Sequence, residues 1–174
     1  MKKSAPLERR YRNTLEFISG NIDKEENILD LGVVNALSSK LSDLGYMVEN
    51  TKGEDLDLEP DILTRYGKYD AVTAFEILEH LVSPFVLLKK LPAKKLLATV
   101  PLDLWFSKAY RSKEDERNRH FHEFEDWQFD WLLEKAGWKI IKREKWTSFA
   151  NEFGIRPFMR KFYPRYYAVY AERV

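Results

Sequence analysis

Three places in this sequence of 174 residues carry side chains that could do chemistry. At Asp30-Leu31-Gly32 a carboxylate and a glycine close a short apolar run. A glycine there lets a ligand approach the backbone, and a helix starting just beyond adds the partial positive charge of its N-terminus. The same glycine would also serve a plain tight turn. Glu76 and the pair Glu79-His80 set carboxylates beside an imidazole, which suits a ligand pocket or a hydrogen-bonded turn equally. His120-Phe121-His122-Glu123 alternates two imidazoles, so a strand would put both on one face. Two histidines and a carboxylate are too unspecific a set to assign a metal. A general base is the sharper reading for His120 or His122, because imidazole titrates at ~6.5 and can take a proton at neutral pH. Trp105, Phe106 and Tyr110, with Arg111 and Arg119, form an aromatic and cationic stretch that could cover a substrate or only the edge of a sheet.

The periodicities say what holds these residues. Leu7, Tyr11, Leu15 and Ile18 recur at helical spacing and predict an N-terminal helix within residues 1–25, stopped near Gly20. Ile28-Leu29-Asp30 reads as a buried strand. A helix over Asn35–Leu44 follows, then a strand from Tyr46, another at Tyr69–Phe75, and a helix begun by Ser83-Pro84. Lys95–Val100 is a further strand. A helix ending at Gly137 precedes two last strands, Trp138–Trp146 and Tyr166–Ala171. This order predicts a single α/β domain over residues 1–174, doubly wound, with a mostly parallel sheet and an antiparallel edge. Residues 102–124 are then a lid or substrate segment, and 147–165 an insertion between the last two strands. Ligands of such sheets bind beyond the carboxyl ends of the strands. Asp30, Gly32, Glu49, Phe75 and Glu76 all fall there.

Composition narrows the function classes. Basic and acidic side chains nearly cancel at a net charge of +1, which argues against a nucleic-acid partner. Charge is nonetheless uneven, with a basic stretch in residues 1–13 and an acidic one in 52–80. The basic, aromatic segment Arg156–Arg165 could stack on single strands, or merely cover apolar surface with its long stems. The absence of cysteine excludes disulfides, thiolate metal sites and thiol catalysis. No apolar run approaches the ~20 residues of a membrane span, and no signal core follows the N-terminus, so a cytoplasmic protein is expected.

Read together, Ile28-Leu29-Asp30-Leu31-Gly32, the block Lys68-Tyr69-Asp70-Ala71-Val72-Thr73-Ala74-Phe75-Glu76-Ile77-Leu78-Glu79-His80 with Ser83-Pro84, and His122-Glu123-Phe124 before Leu132-Leu133-Glu134-Lys135-Ala136-Gly137-Trp138 resemble the class I S-adenosylmethionine (SAM)-dependent methyltransferases, in their small-molecule branch. The resemblance runs over about residues 27–146. It implies a Rossmann-like sheet of the seven-stranded type with the last strand antiparallel. Because Thr51–Lys68 is short for the usual helix and third strand, six strands are the alternative. It also implies SAM as cofactor, with Asp30 and Gly32 at its methionine end, Glu49 near the ribose, Asp55, Leu56, Asp57 and Leu58 at adenine, and Phe75 and Glu76 as pocket wall. His120 or His122 would be the base, and Trp105, Tyr110 and Arg119 would meet the acceptor. The family's glycine loop is incomplete. Val34 and Ala36 stand where it has glycines and would narrow the space for the methionine tail, and Lys52 stands near the usual ribose acid. The implied activity is methyl transfer to a small molecule or glycan-like metabolite. The alternative is a non-catalytic binding or assembly module with weak or lost SAM binding, and an RNA acceptor is favoured only by the two basic stretches.

Overall fold

A computed structural model describes residues 5–148 and 154–174. Residues 1–4 of the expected N-terminal unit, and 149–153 of the expected insertion, lie outside the described residues. Six strands form one sheet: β1 (Asn27–Asp30), β2 (Met47–Asn50), β3 (Ala71–Phe75), β4 (Lys95–Pro101), β5 (Trp138–Thr147) and β6 (Pro164–Arg173), in the order β2-β1-β3-β4-β6-β5. β2, β1, β3 and β4 pair in parallel. β6 inserts antiparallel between β4 and β5. The edge strand β5 therefore runs parallel with β4, and the antiparallel strand is internal rather than at the edge as expected. The segment between β2 and β3 holds only a 3-10 turn, Pro60–Tyr66, and among the described residues no strand lies outside β2. That leaves β1 one strand from the edge.

Alternation along the strands divides the core into two layers. Leu96, Ala98 and Val100 of β4 pack on one face, with Leu87, Leu88, Phe129 and Leu133 of helices α3 (Pro84–Lys90) and α4 (Asp126–Lys135). Leu97 faces the other layer, where Phe17 and Ile18 of α1 (Ala5–Ser19) meet Leu41 of α2 (Ala36–Asp43). On α1 the deepest positions are Thr14, Phe17 and Ile18, while Leu7, Tyr11 and Leu15 are only half-buried. The buried stripe is thus turned relative to the one read from the periodicity. A short helix, α5 (Ile155–Met159), lies between β5 and β6. Among the described residues no helix is long and apolar enough to cross a membrane.

Two helix starts near the site are held differently. Asn35 caps α2, accepting from the Leu37 and Ser38 amides while Ser38 Oγ accepts from the Asn35 amide. At α3, Pro84 stands in the first turn as expected, but the Ser83 side chain makes no capping bond. Asp57 does that work across the chain, its carboxylate accepting from the Val82 amide at 2.8 Å and the Ser83 amide at 2.9 Å. Asp57→Ala should therefore cost about 1 kcal/mol, the usual value of a lost cap, and Ser83→Ala a few tenths at most. Urea unfolding of both variants checks this, and the reverse ranking would return the cap to Ser83.

Candidate functional site

Beyond the carboxyl ends of β1, β3 and β4 lies a cavity of about 400 Å³. Its floor begins at Asp30, the last residue of β1. The Asp30 carboxylate is buried, accepting from Thr73 Oγ1 at 2.6 Å and from Asn50 Nδ2 at 2.9 Å. Burial outweighs both hydrogen bonds and pushes its pKa up to about 6. Gly32 follows with φ +118, a conformation that side-chain-bearing residues rarely adopt, and its amide donates to Thr51 Oγ1 at 2.6 Å. A Cβ built at Gly32 would lie 3.4 Å from Ile77 Cδ1, so the glycine keeps the backbone close to the cavity wall.

Glu76, just past β3, has φ 57, the only positive value outside glycine among the described residues. Arg10 of α1 donates to Glu76 Oε2 at 3.1 Å, and Thr99 Oγ1 donates to Oε1 at 3.1 Å. Burial still raises the Glu76 pKa, against the pull of Arg10. Strain of this kind persists where its surroundings hold it and is common at functional sites. Here it aims the carboxylate at the cavity beneath α1.

Glu79, in the 3-10 turn Leu78–His80, is fully buried, and neither carboxylate oxygen has a hydrogen-bond partner. Burial first, and then the Glu76 charge, hold its pKa well above the ordinary value. The segment 102–124 folds back onto this turn: the Phe121 and His122 amides both donate to the Glu79 carbonyl, and His80 Nδ1 donates to the Arg119 carbonyl at 3.0 Å. His120 comes with it, its ring edge-on to that of His80 at 4.7 Å between centroids. Burial, then the neighbouring His80, lowers the His120 pKa to about 4, so the ring is neutral at pH 7.

Of the residues singled out in the sequence, Asp30, Phe75, Glu76, Glu79, His80 and His120 line the cavity together. Glu49 does not; it is exposed on β2 and accepts from the Tyr69 hydroxyl. Asp55 caps its own turn through the Asp57 and Leu58 amides, Leu56 enters the core, Asp57 caps α3, and Leu58 is exposed. Tyr110 and Arg119 line a second cavity, of about 340 Å³, that shares His120 with the first. Trp105 stands exposed against Phe106 and Tyr163. His122 turns away, Nε2 at 3.3 Å from the Val82 carbonyl and its ring stacked on Phe124. Val34 is 70% exposed, and neither it nor Ala36 is among the residues lining the cavity. Arg10, Asn50 and Thr99 were missed. Only strand register could have indicated Asn50 and Thr99, and nothing local marks Arg10.

No family model matches the sequence, and no curated protein matches it significantly. Solved structures do match. The magnesium protoporphyrin IX methyltransferase of Synechocystis PCC 6803, solved with SAH bound, is similar at a TM-score of 0.62 and 15% identity, over 97% of this chain and 84% of that one. A putative SAM-dependent methyltransferase from Listeria monocytogenes reaches 0.58 at 13% identity, over 95% and 98%. A SAM-dependent methyltransferase from Archaeoglobus fulgidus reaches 0.54 at 16%, over 96% and 93%. This is the SAM-dependent methyltransferase fold. In this chain the methyltransferase fold has six strands, and its cavity sits where open α/β sheets bind ligands.

Asp30 should leave a mark on stability. Unfolded, it ionises near 3.8; folded, near 6. Between these values the folded chain holds a proton that the unfolded chain has released. Stability therefore falls as pH rises from about 4 to about 6, by up to roughly 3 kcal/mol, and the loss is complete above the folded value. Asp30→Asn should flatten this slope in urea unfolding at pH 4.5 and 7. An unchanged slope would assign it to other groups.

Proposed function

We propose that this chain is a SAM-dependent methyltransferase whose acceptor is a small molecule or glycan-like metabolite. The observation that carries the reading is the cavity itself, where Asp30, Glu76 and Glu79 bring three carboxylates to the carboxyl ends of the strands. Such a wall suits a cofactor whose reactive centre is a cation. The volume, about 400 Å³, is of the size that small ligands fill. Asp30 and Gly32 would hold the methionine end, with the open backbone at Gly32 giving room, and Phe75 and Glu76 would form the wall beside it. SAM when bound supplies an electrophilic methyl group on a sulfonium.

The chain's own residues supply position and exclusion of water. Arg10 ties α1 to Glu76 and so covers the cavity from one side. Segment 102–124 covers it from the other through its bonds to Glu79 and His80. Of the two histidines expected to serve as base, His120 is the one on the cavity. It offers a lone pair, being neutral, while His122 is occupied elsewhere. The size of the cavity and the near-zero net charge favour a small acceptor over a nucleic acid.

Calorimetric titration with SAM, and with its demethylated product, tests the reading. We expect saturable one-to-one binding, weakened about tenfold or more, or about 1.4 kcal/mol, by Glu76→Gln and by Asp30→Asn. An absence of binding to both ligands by the folded wild-type chain would overturn the assignment and favour a module that keeps only the fold.

A further inference from the structure

We propose that Glu79, His80 and His120 bind a divalent first-row transition ion such as Zn²⁺, Mn²⁺ or Co²⁺. The inference stands apart from methyl transfer, since it rests on donor atoms and their burial. Among the described residues these three are the one group whose ligand atoms all lie within 4.8 Å of one another. Two imidazoles and one carboxylate suit borderline divalent ions and leave coordination positions open.

Each of the three side chains leaves a donor atom without a hydrogen-bond partner. Glu79 is fully buried with both oxygens unpartnered, an arrangement that costs free energy unless a countercharge or a proton is present. Arg10 cannot supply that charge directly, because it bonds to Glu76. His80 donates its Nδ1 proton to the Arg119 carbonyl, which fixes the tautomer and leaves Nε2 bare. That nitrogen sits 3.9 Å from Glu79 Oε1. A histidine ligand whose other nitrogen donates to a backbone carbonyl is the usual supporting arrangement around metals. His120 Nδ1 is buried without a partner. Glu123 lies 3.8 Å away but is already engaged by Arg165 and the Tyr110 amide, so it does not complete the His120 ring.

The three donors, within 4.8 Å of one another, must draw together to share an ion. Ligand bonds of ~2.0–2.2 Å in tetrahedral geometry put donor atoms roughly 3.4 Å apart. The 3.9 Å between His80 and Glu79 is within about half an ångström of that. All three residues line the cavity, so the open positions of the ion face a ligand rather than protein. An oxygen ligand is the class that completes such a site, and a bound ion would lower the pKa of a hydroxyl there without a protein base. This assigns the lone pair of His120 to the ion in place of the general-base role expected from the sequence.

The test is titration of the metal-free chain with Zn²⁺ by calorimetry and with Co²⁺ by visible absorption, both without SAM. We expect one equivalent bound, with a Co²⁺ d–d spectrum typical of four or five ligands. Glu79→Gln and His120→Ala should each weaken binding at least tenfold, while His122→Ala, which lies outside the set, should not change it. Circular dichroism identifies any variant that fails to fold. If Glu79→Gln does, His120→Ala, in a segment outside the strands and helices, decides alone. No binding at millimolar ion, or equal binding by wild type and His120→Ala, would overturn the site. Binding of SAM in the same preparation is read separately, so either proposal can fail without the other.

Discussion

The buried carboxylate of Asp30 is the fixed point of the sheet's carboxyl edge. It takes a hydroxyl from β3 through Thr73 and an amide from β2 through Asn50, while its own backbone carbonyl accepts from the Thr51 amide. Asn50 also donates to the Gly32 carbonyl, and Thr51 accepts from the Gly32 amide. One side chain thus binds three strand ends together and sets the backbone of the turn above them. Hydrogen bonds to a charged group contribute about 1.5–3 kcal/mol each, against the cost of removing the charge from water. The raised pKa shows that the desolvation is not fully offset. The cavity is where that cost is retained.

The other two acids of the cavity are companioned differently. Glu76 faces an arginine, Glu79 faces histidines, and Asp30 faces only neutral donors. Three carboxylates at one sheet edge would repel if all were equivalent. Their separate partners spread the ionisations and allow them to coexist. The partner of Glu76 comes from the distant helix α1, while Glu79 has only the adjacent His80 at 3.9 Å and the ring of His120 brought in by residues 102–124.

Much of this was legible in the sequence, because a parallel sheet shows itself as apolar runs alternating with helical periodicity. The six strands, the antiparallel run of the last one and the pocket residues Asp30, Phe75 and Glu76 follow from that alternation and from the short stretch between β2 and β3. What was not legible depends on long-range register. The pairing of Arg10 with Glu76 spans 66 residues and has no local signal. Ser83-Pro84 correctly marked a helix start, yet the cap came from Asp57, 26 residues away. Glu79 and His80 were visible as a pair, and only the return of residues 120–122 makes them part of a buried cluster.

The placement of β6 between β4 and β5 has a kinetic side. Lys95 pairs with Glu172 and Pro101 with Tyr166, contacts between residues far apart in sequence. Loop-closure entropy must be met before such contacts form, which makes this step slow relative to β1–β2 pairing. Until it occurs, β4 presents an open edge carrying Leu96, Leu97, Ala98 and Val100. An unpaired apolar strand edge is a template for other chains. The same insertion that completes the native sheet therefore makes the half-folded chain sensitive to concentration, and its refolding yield a property of crowding in the tube as much as of native stability.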